Sequence, residues 1–176
     1  MRQVWSTIVA VAALGCLAPA AGAHTFSGSC HIDAVSHADA PVSPIIPAPA
    51  PQAVDMTGRC TGSLDGAPLP AAGAPIASHF RVTELDSCFL FYGPAYTTTL
   101  VFDPSSDAPV PLSISLLPQG GTPLLWPFLG RGTQGGLLVG TSQIHGDANA
   151  LNACLARKST SATFTSDLRT LLPVRG

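Results

Sequence analysis

The chain has 176 residues, with 8 Lys and Arg against 10 Asp and Glu, a formal charge of −2, and only 10% of its residues charged. That balance argues against a basic nucleic-acid footprint, and 46% hydrophobic residues is too many for a disordered chain. The length suits one domain with a sizeable core, while 17 Gly and 17 Pro require many turns.

Residues 1–23 read as an export signal. Arg2 supplies the positive start, Val4 to Leu17 form an apolar run, and Ala21-Gly22-Ala23 offers the small residues of a cleavage site before His24. Fourteen residues span roughly 21 Å as a helix, short of the ~30 Å hydrocarbon core, so no stable transmembrane anchor is expected. Ala13-Leu14-Gly15-Cys16 has Ala where a lipobox carries Leu and lies inside the apolar run, which favours simple secretion over lipidation. Removing residues 1–23, and Arg2 with them, takes 176 residues to 153 and the formal charge from −2 to −3. The expected organisation is a signal peptide over 1–23 and a single domain over 24–176.

Alternation with period two dominates the rest. Phe26, Gly28, Cys30 and Ile32 share one face of a first strand, with Ser27, Ser29, His31 and Asp33 on the other. Five prolines between Ala38 and Gln52 predict a loop, because proline lacks the N–H that a central strand donates. A second strand over Ala53 to Leu64 groups Met56, Gly58, Cys60 and Leu64, and Asp65-Gly66 marks a turn. Ile76, Phe80 and Val82 face inward on a third strand, His79 and Arg81 outward, and a short apolar run follows over 88–92. Tyr96 to Phe102 and Val110 to Leu116 form a hairpin around Asp103-Pro104-Ser105-Ser106-Asp107. Residues 120–136 read as a long loop around Trp126 and Phe128, Leu137 to Gln143 as a strand, Ala148 to Ala156 as a short helix capped by Asp147, and Thr160 to Leu168 as the last strand. The fold expected is all-β, a sandwich or partly open barrel of about eight short antiparallel strands with one short helix near the C-terminus.

Four cysteines follow the signal: Cys30, Cys60, Cys88 and Cys154. In an exported chain an even count reads as two disulfides with three connectivities, and spacings of 30, 28 and 66 contain no C-x-x-C that would suggest zinc. Register selects one connectivity. If the first two strands are antiparallel neighbours, setting Cys30 opposite Cys60 also sets Phe26 opposite Leu64, Gly28 opposite Gly62 and Ala34 opposite Met56. A one-residue slip would destroy every one of these apolar or glycine matches. Cys88–Cys154 follows by exclusion. The two glycines are expected to leave space for a packing neighbour from an opposite sheet.

Gly28-Ser29-Cys30, then Gly58-Arg59-Cys60-Thr61-Gly62-Ser63-Leu64, then single cysteines at 88 and 154, resemble a group of small secreted actinobacterial proteins. Members share a signal peptide, a Pro-containing stretch after the first cysteine, the G-x-C-x-G-x-L element and a late Ala/Cys segment. This chain departs from them in a longer Pro-rich loop and a Pro/Trp-rich stretch over 118–130. The resemblance implies a β fold and export, and no particular chemistry.

Catalytic patterns are weak. Gly62-Ser63-Leu64-Asp65-Gly66 lacks the residue between Gly and Ser that a nucleophile elbow needs, and Ser142 and His145 have no elbow either. Glu84 and Asp86 share a strand face at i, i+2 but read as a solvated strand end. Asp103 and Asp107 read as turn residues rather than Ca²⁺ ligands. Trp126, Phe128, Tyr92 and Tyr96 read as core before ligand surface. One sharper alternative involves His24. Cleavage after Ala23 would leave an α-amine and imidazole that chelate copper together, with His79 or His145 supplying a second ring. His31 and His37 are expected to face solvent.

The leading expectation is therefore a non-catalytic secreted binding or structural module, with no cofactor, no metal and no nucleic-acid partner. Cell wall or a small ligand is left as the open partner class. The runner-up is an extracellular copper-binding protein or copper enzyme using His24, and the third class is a hydrolase with unrecognised carboxylates.

Overall fold

A computed structural model describes residues 23–88, 91–92, 95–119, 125–145, 148–158 and 161–176. The elements in chain order are β1 (Thr25–Ala38), β2 (Ala48–Leu64), β3 (Ala67–Pro68), β4 (Ala74–Asp86), β5 (Phe91–Tyr92), β6 (Tyr96–Phe102), β7 (Val110–Pro118), β8 (Trp126–Gly132), β9 (Gly135–His145), α1 (Ala148–Leu155) and β10 (Ser161–Arg175). Strand neighbours run β2-β1-β10-β9-β8-β7-β6-β4, and β4 pairs back onto β2, so eight antiparallel strands close a barrel. The two-residue strands β3 and β5 extend the β2 and β4 hairpins. Closure settles the choice between sandwich and barrel. It depends on the long β2–β4 ladder from Cys60 opposite Ala74 to Ala48 opposite Asp86, and on the brief β4–β6 contact of Ile76 and Ala77 with Phe102 and Val101.

The interior is filled by alternate residues of every strand. On β1, Phe26, Cys30, Ile32 and Ala34 are buried while Ser27, Ser29, His31 and Asp33 are exposed. The β1–β2 register pairs Phe26 with Leu64, Gly28 with Gly62, Cys30 with Cys60 and Ala34 with Met56, as the apolar matching requires. Asp65 (φ 53°) and Gly66 (φ 79°) make the tight turn into β3; both central residues take positive φ, the twist-matching form of a two-residue hairpin.

Three strand assignments differ from expectation, and proline explains each. Pro49 and Pro51 lie inside β2, paired to β4 opposite Leu85 and Thr83. The Pro51 carbonyl accepts from Asp39 N–H at 2.9 Å, so Pro51 turns its ring nitrogen to the side where β1 has already ended and no ladder bond is lost. Residues 126–132, expected in a loop, form β8 with Trp126 and Phe128 inward. Pro127 there accepts from Gln119 N–H at 3.0 Å, again facing the side where its neighbour β7 stops. Finally, β10 continues to Arg175, and Pro173 falls where its ladders to β9 and β1 shift register, an irregularity that tolerates a missing donor.

The two facing glycines do not make room for a third layer. A Cβ on Gly28 would strike the Thr61 carbonyl and one on Gly62 the Ser27 carbonyl, so the space belongs to the opposing backbone. Gly62 also sits at φ 118°. Gly62→Ala is therefore expected to cost about 2–3 kcal/mol in urea unfolding, whereas an exposed, non-glycine site on the same strand such as Thr57→Ala stays within about 1 kcal/mol.

Candidate functional site

Strand direction divides the barrel into two ends. The lower end holds the connections after β2, β6 and β8, and there His24 and Gly176 exchange backbone hydrogen bonds at 3.1 Å. At the upper end lie residues 39–47, 87–88, 95, 119 and 125, together with β5, α1 and residues 156–158. The expected Asp147 cap lies outside the described residues. The helix ends with Arg157 at φ 54° and a bond from Lys158 N–H to Ala153 O at 2.9 Å, a left-handed C-terminal cap with Arg in place of the usual Gly. The Cys88–Cys154 disulfide, with Cα atoms 5.8 Å apart, ties α1 to the end of β4. Cys30 and Cys60 are bridged inside the barrel.

The interior changes character along the axis. Its lower half is apolar, with Phe26 against Phe102 at 5.4 Å and Leu100, Leu112, Ile114, Leu138 and Val174 fully buried. Above it the walls turn polar and aromatic. Ser78 Oγ meets Thr98 Oγ1 at 2.7 Å, Ser142 Oγ meets Ser166 Oγ at 2.6 Å, Phe80 stacks on Tyr96 at 5.0 Å, and Trp126 faces Phe164 at 6.0 Å.

At the top of this region stand Glu84 and Asp86 of β4 and Gln52 of β2. From sequence alone the two carboxyls are expected at a solvated strand end. Instead Glu84 is 5% exposed and Gln52 4%, because β4 keeps its alternation past Val82 and so turns Glu84 and Asp86 inward. Gln52 Nε2 donates to Glu84 Oε2 and lies 3.4 Å from Asp86 Oδ2, spanning both acids. Burial, followed by the Asp86 charge, pushes the Glu84 carboxyl up to about 8. Burial pushes Asp86 up to about 6 against the opposing pull of the Gln52 hydrogen bond. Burial and then Glu84 also raise the Tyr96 phenol. Near neutral pH Glu84 is thus protonated and Asp86 ionised, and the pair carries about one negative charge. Two carboxyls driven apart in this way are able to donate and accept hydrogen bonds at one place.

The other sequence candidates are dispersed. His24 lies at the lower end, its Nδ1 2.8 Å from Asp65 Oδ2, and Asp65 also accepts from Thr25 N–H at 2.7 Å. Those contacts, His24 first, hold Asp65 below the usual carboxylate range. His79 is on the outer face against Asp55 at 2.7 Å, and His145 is at the upper end against Thr165 at 3.0 Å. Neither is brought to His24, whose ring nitrogen is already engaged. Among the described residues no three His, Cys, Asp or Glu side chains converge. The Ser142 hydroxyl is buried against Ser166, away from His145's partner. His31 and His37 are exposed. Trp126, Phe128 and Tyr96 point into the barrel, while Tyr92 lies in β5.

The chain matches no protein-family model, no curated protein sequence and no solved structure. The site has to be read from its own chemistry. Glu84 was detectable in the sequence: it is the only glutamate in the chain, and continuing the inward parity of Ile76, Phe80 and Val82 leads directly to it.

Proposed function

We propose that this protein is an exported, non-catalytic binding barrel that holds a small amine-bearing ligand at its upper end, with the ligand's cationic donor on Asp86, Glu84 and Gln52. The supporting observation is the inward turn of two carboxyls, Glu84 and Asp86, at the upper end of β4, in a barrel whose lower half is apolar. Buried acids cost folding energy, and shifted groups of this kind concentrate at sites of function. Barrel mouths are a common place for small-ligand sites. Aromatic rings at the same end suit the apolar body of such a ligand and the face of its cation. Two disulfides from four cysteines fit an oxidising compartment, and no described helix is long and apolar enough to cross a membrane.

Trp126 is the only tryptophan outside residues 1–23, and it lies buried at the upper end, so its fluorescence reports on this site. Titration near neutral pH with arylalkylamines such as phenethylamine, which are protonated there, and with their neutral isosteres is expected to give saturable changes for the amines. Asp86→Asn, which removes the charge, is expected to weaken amine binding about tenfold or more. Glu84→Gln, which mimics the protonated acid, retains it. Equal binding of the neutral isosteres, or no response to any amine, would reject the proposal.

A further inference from the structure

We propose that the outer face of the barrel carries a second site, separate from the carboxyl pair, where Arg59 and Arg169 hold a small ligand through phosphate or carboxylate oxygens. The antiparallel register assembles it. Arg59 of β2, His31 of β1 and Asp167 of β10 are successive cross-strand neighbours on one outward row. Thr61, Ser29 and Arg169 form the adjacent row on the same strands. The turn before β4 rises beside them and encloses a groove of about 680 Å³. Two strands across and two residues along place the Arg59 and Arg169 backbones about 12 Å apart, a gap that two arginine side chains span around an oxyanion.

The charges in the groove are unequal. Its one acid, Asp167, is already engaged by His31 Nδ1 at 2.7 Å. Arg59 is anchored to the wall, with Nη1 donating to Gly73 O at 2.9 Å and Ala72 O at 3.4 Å. Those bonds use only Nη1, so Nε and Nη2 are left without a partner among the described residues. Arg169 is exposed, and its guanidinium makes no ion pair or hydrogen bond among the described residues. Two guanidinium forks, one of them fixed in place, match the paired oxygens of phosphate and carboxylate groups. The hydroxyls of Ser29 and Thr61 stand 3.4 Å apart on the row beside them and add donors for a third oxygen. A cationic groove on a chain of formal charge −2 is a local arrangement that net charge would not reveal.

His31 gives the groove a pH dependence. It faces Asp167 and Arg169 on β10, Arg59 on β2 and Asp33 on its own strand. The Asp167 hydrogen bond is the largest influence and raises the imidazole above its ordinary value. With Nδ1 on Asp167, protonation makes Nε2 a donor as well, so anions bind more tightly below the raised pKa and more weakly above it.

The test uses sulfate and succinate as probes, followed by backbone amide NMR at low ionic strength. Sulfate remains a dianion throughout, so any change in its midpoint with pH belongs to the protein. Saturable shifts at Arg59, His31, Ser29 and Arg169 are expected. The midpoint should weaken at least tenfold in Arg169→Gln and remain unchanged in Arg131→Gln, a surface change on β8. Raising the pH from about 5.5 to 8 should weaken sulfate binding further. Binding of sulfate alone would identify a tetrahedral oxyanion as the ligand group, succinate alone a carboxylate, and both the shared oxyanion chemistry. Shifts that never saturate, that spread to Arg131 and Arg175, or that survive Arg169→Gln would overturn the proposal, and so would the absence of shifts with both probes. Because Arg169 is exposed, the spectrum of Arg169→Gln itself reports an intact fold. Asp86 and Glu84 take no part, so failure here leaves the upper-end reading standing, and the reverse also holds.

Discussion

Urea unfolding at about pH 5, 7 and 9 is expected to show stability falling as the pH rises, and a Glu84→Gln variant in which most of that fall is gone. The unfolded chain releases the Glu84 proton near 4.5 and the Asp86 proton near 3.8, whereas the folded chain keeps them to about 8 and about 6. Between those values the native state binds more protons than the unfolded state, so the unfolding free energy decreases with pH. For Glu84 alone the loss is on the order of 5 kcal/mol by pH 9, a large part of the ~5–15 kcal/mol that holds a typical domain folded. His31 acts in the same direction. Its raised pKa contributes stability that is present at low pH and is lost as the pH rises through it. Asp65, held low by His24 and Thr25, contributes above its ordinary value and loses that contribution in acid. Stability therefore turns over only below about pH 4, where Asp65 loses its contribution and Asp86 is protonated in both states. At about pH 9, Glu84→Gln should exceed the parent by several kcal/mol, while at about pH 5 the two should agree within about 1 kcal/mol. A parent protein equally stable at pH 5 and 9 would show that Glu84 is not buried in this way.

This expectation and the proposed ligand site share a physical origin. An acid that destabilises the folded protein at neutral pH is maintained against that cost when something else, such as a bound cation, uses its charge. A ligand amine on Asp86 would then stabilise the fold in proportion to its concentration over its dissociation constant.

What could be read in the sequence follows from what is local in it. The β1–β2 register was legible because Phe26, Cys30, Ile32 and Ala34 alternate on a strand with one buried face, and a slip of one residue reverses every position. Asp65-Gly66 was legible because a tight turn with positive φ favours those two residues. The prolines misled because their effect depends on where a neighbouring strand stops: Pro51 and Pro127 point toward the ends of β1 and β7, which no local pattern specifies. Barrel closure was likewise hidden in the pairing of β2 with β4 and of β4 with β6. The carboxyl pair was missed for a different reason. Its parity pointed inward, but the residue type argued for solvent, and the Gln52 amide that makes burial tolerable lies thirty-two residues away. The His24–Asp65 contact was not legible, because the two residues meet only once the β2–β3 turn has formed.

Removing the Cys30–Cys60 bridge is expected to destabilise the protein more than removing Cys88–Cys154, although the second closes the longer loop. Chain entropy alone gives the opposite order: closing about 30 residues contributes roughly 3.6 kcal/mol and closing about 66 roughly 4.4 kcal/mol. That relation assumes the native state is unchanged once the bond is cut. For Cys30 and Cys60 this holds, since both are buried, 4% and 0% exposed, and directly opposite in a continuous ladder. The ladder remains, and truncating both side chains adds the loss of core contacts to the entropic term. Cys154 instead sits on an eight-residue helix whose Leu151 and Leu155 are 40% and 39% exposed. Helices this short are marginal without tertiary support. Cutting the bond allows that segment to loosen in the folded protein and recover entropy there, which reduces the measured cost below the chain-entropy figure. Cys30→Ala/Cys60→Ala should therefore lose at least about 3.6 kcal/mol. Cys88→Ala/Cys154→Ala should lose clearly less than about 4.4 kcal/mol and leave the barrel's amide protection intact. Non-reducing peptide mapping of the parent comes first, and a peptide joining Cys30 to Cys88 or Cys154 would refute both the pairing and the β1–β2 register. If instead the Cys88–Cys154 variant loses the full amount and its barrel amides exchange together, the helix and barrel unfold as one unit, and the upper end is more firmly built than the exposure of Leu151 and Leu155 implies.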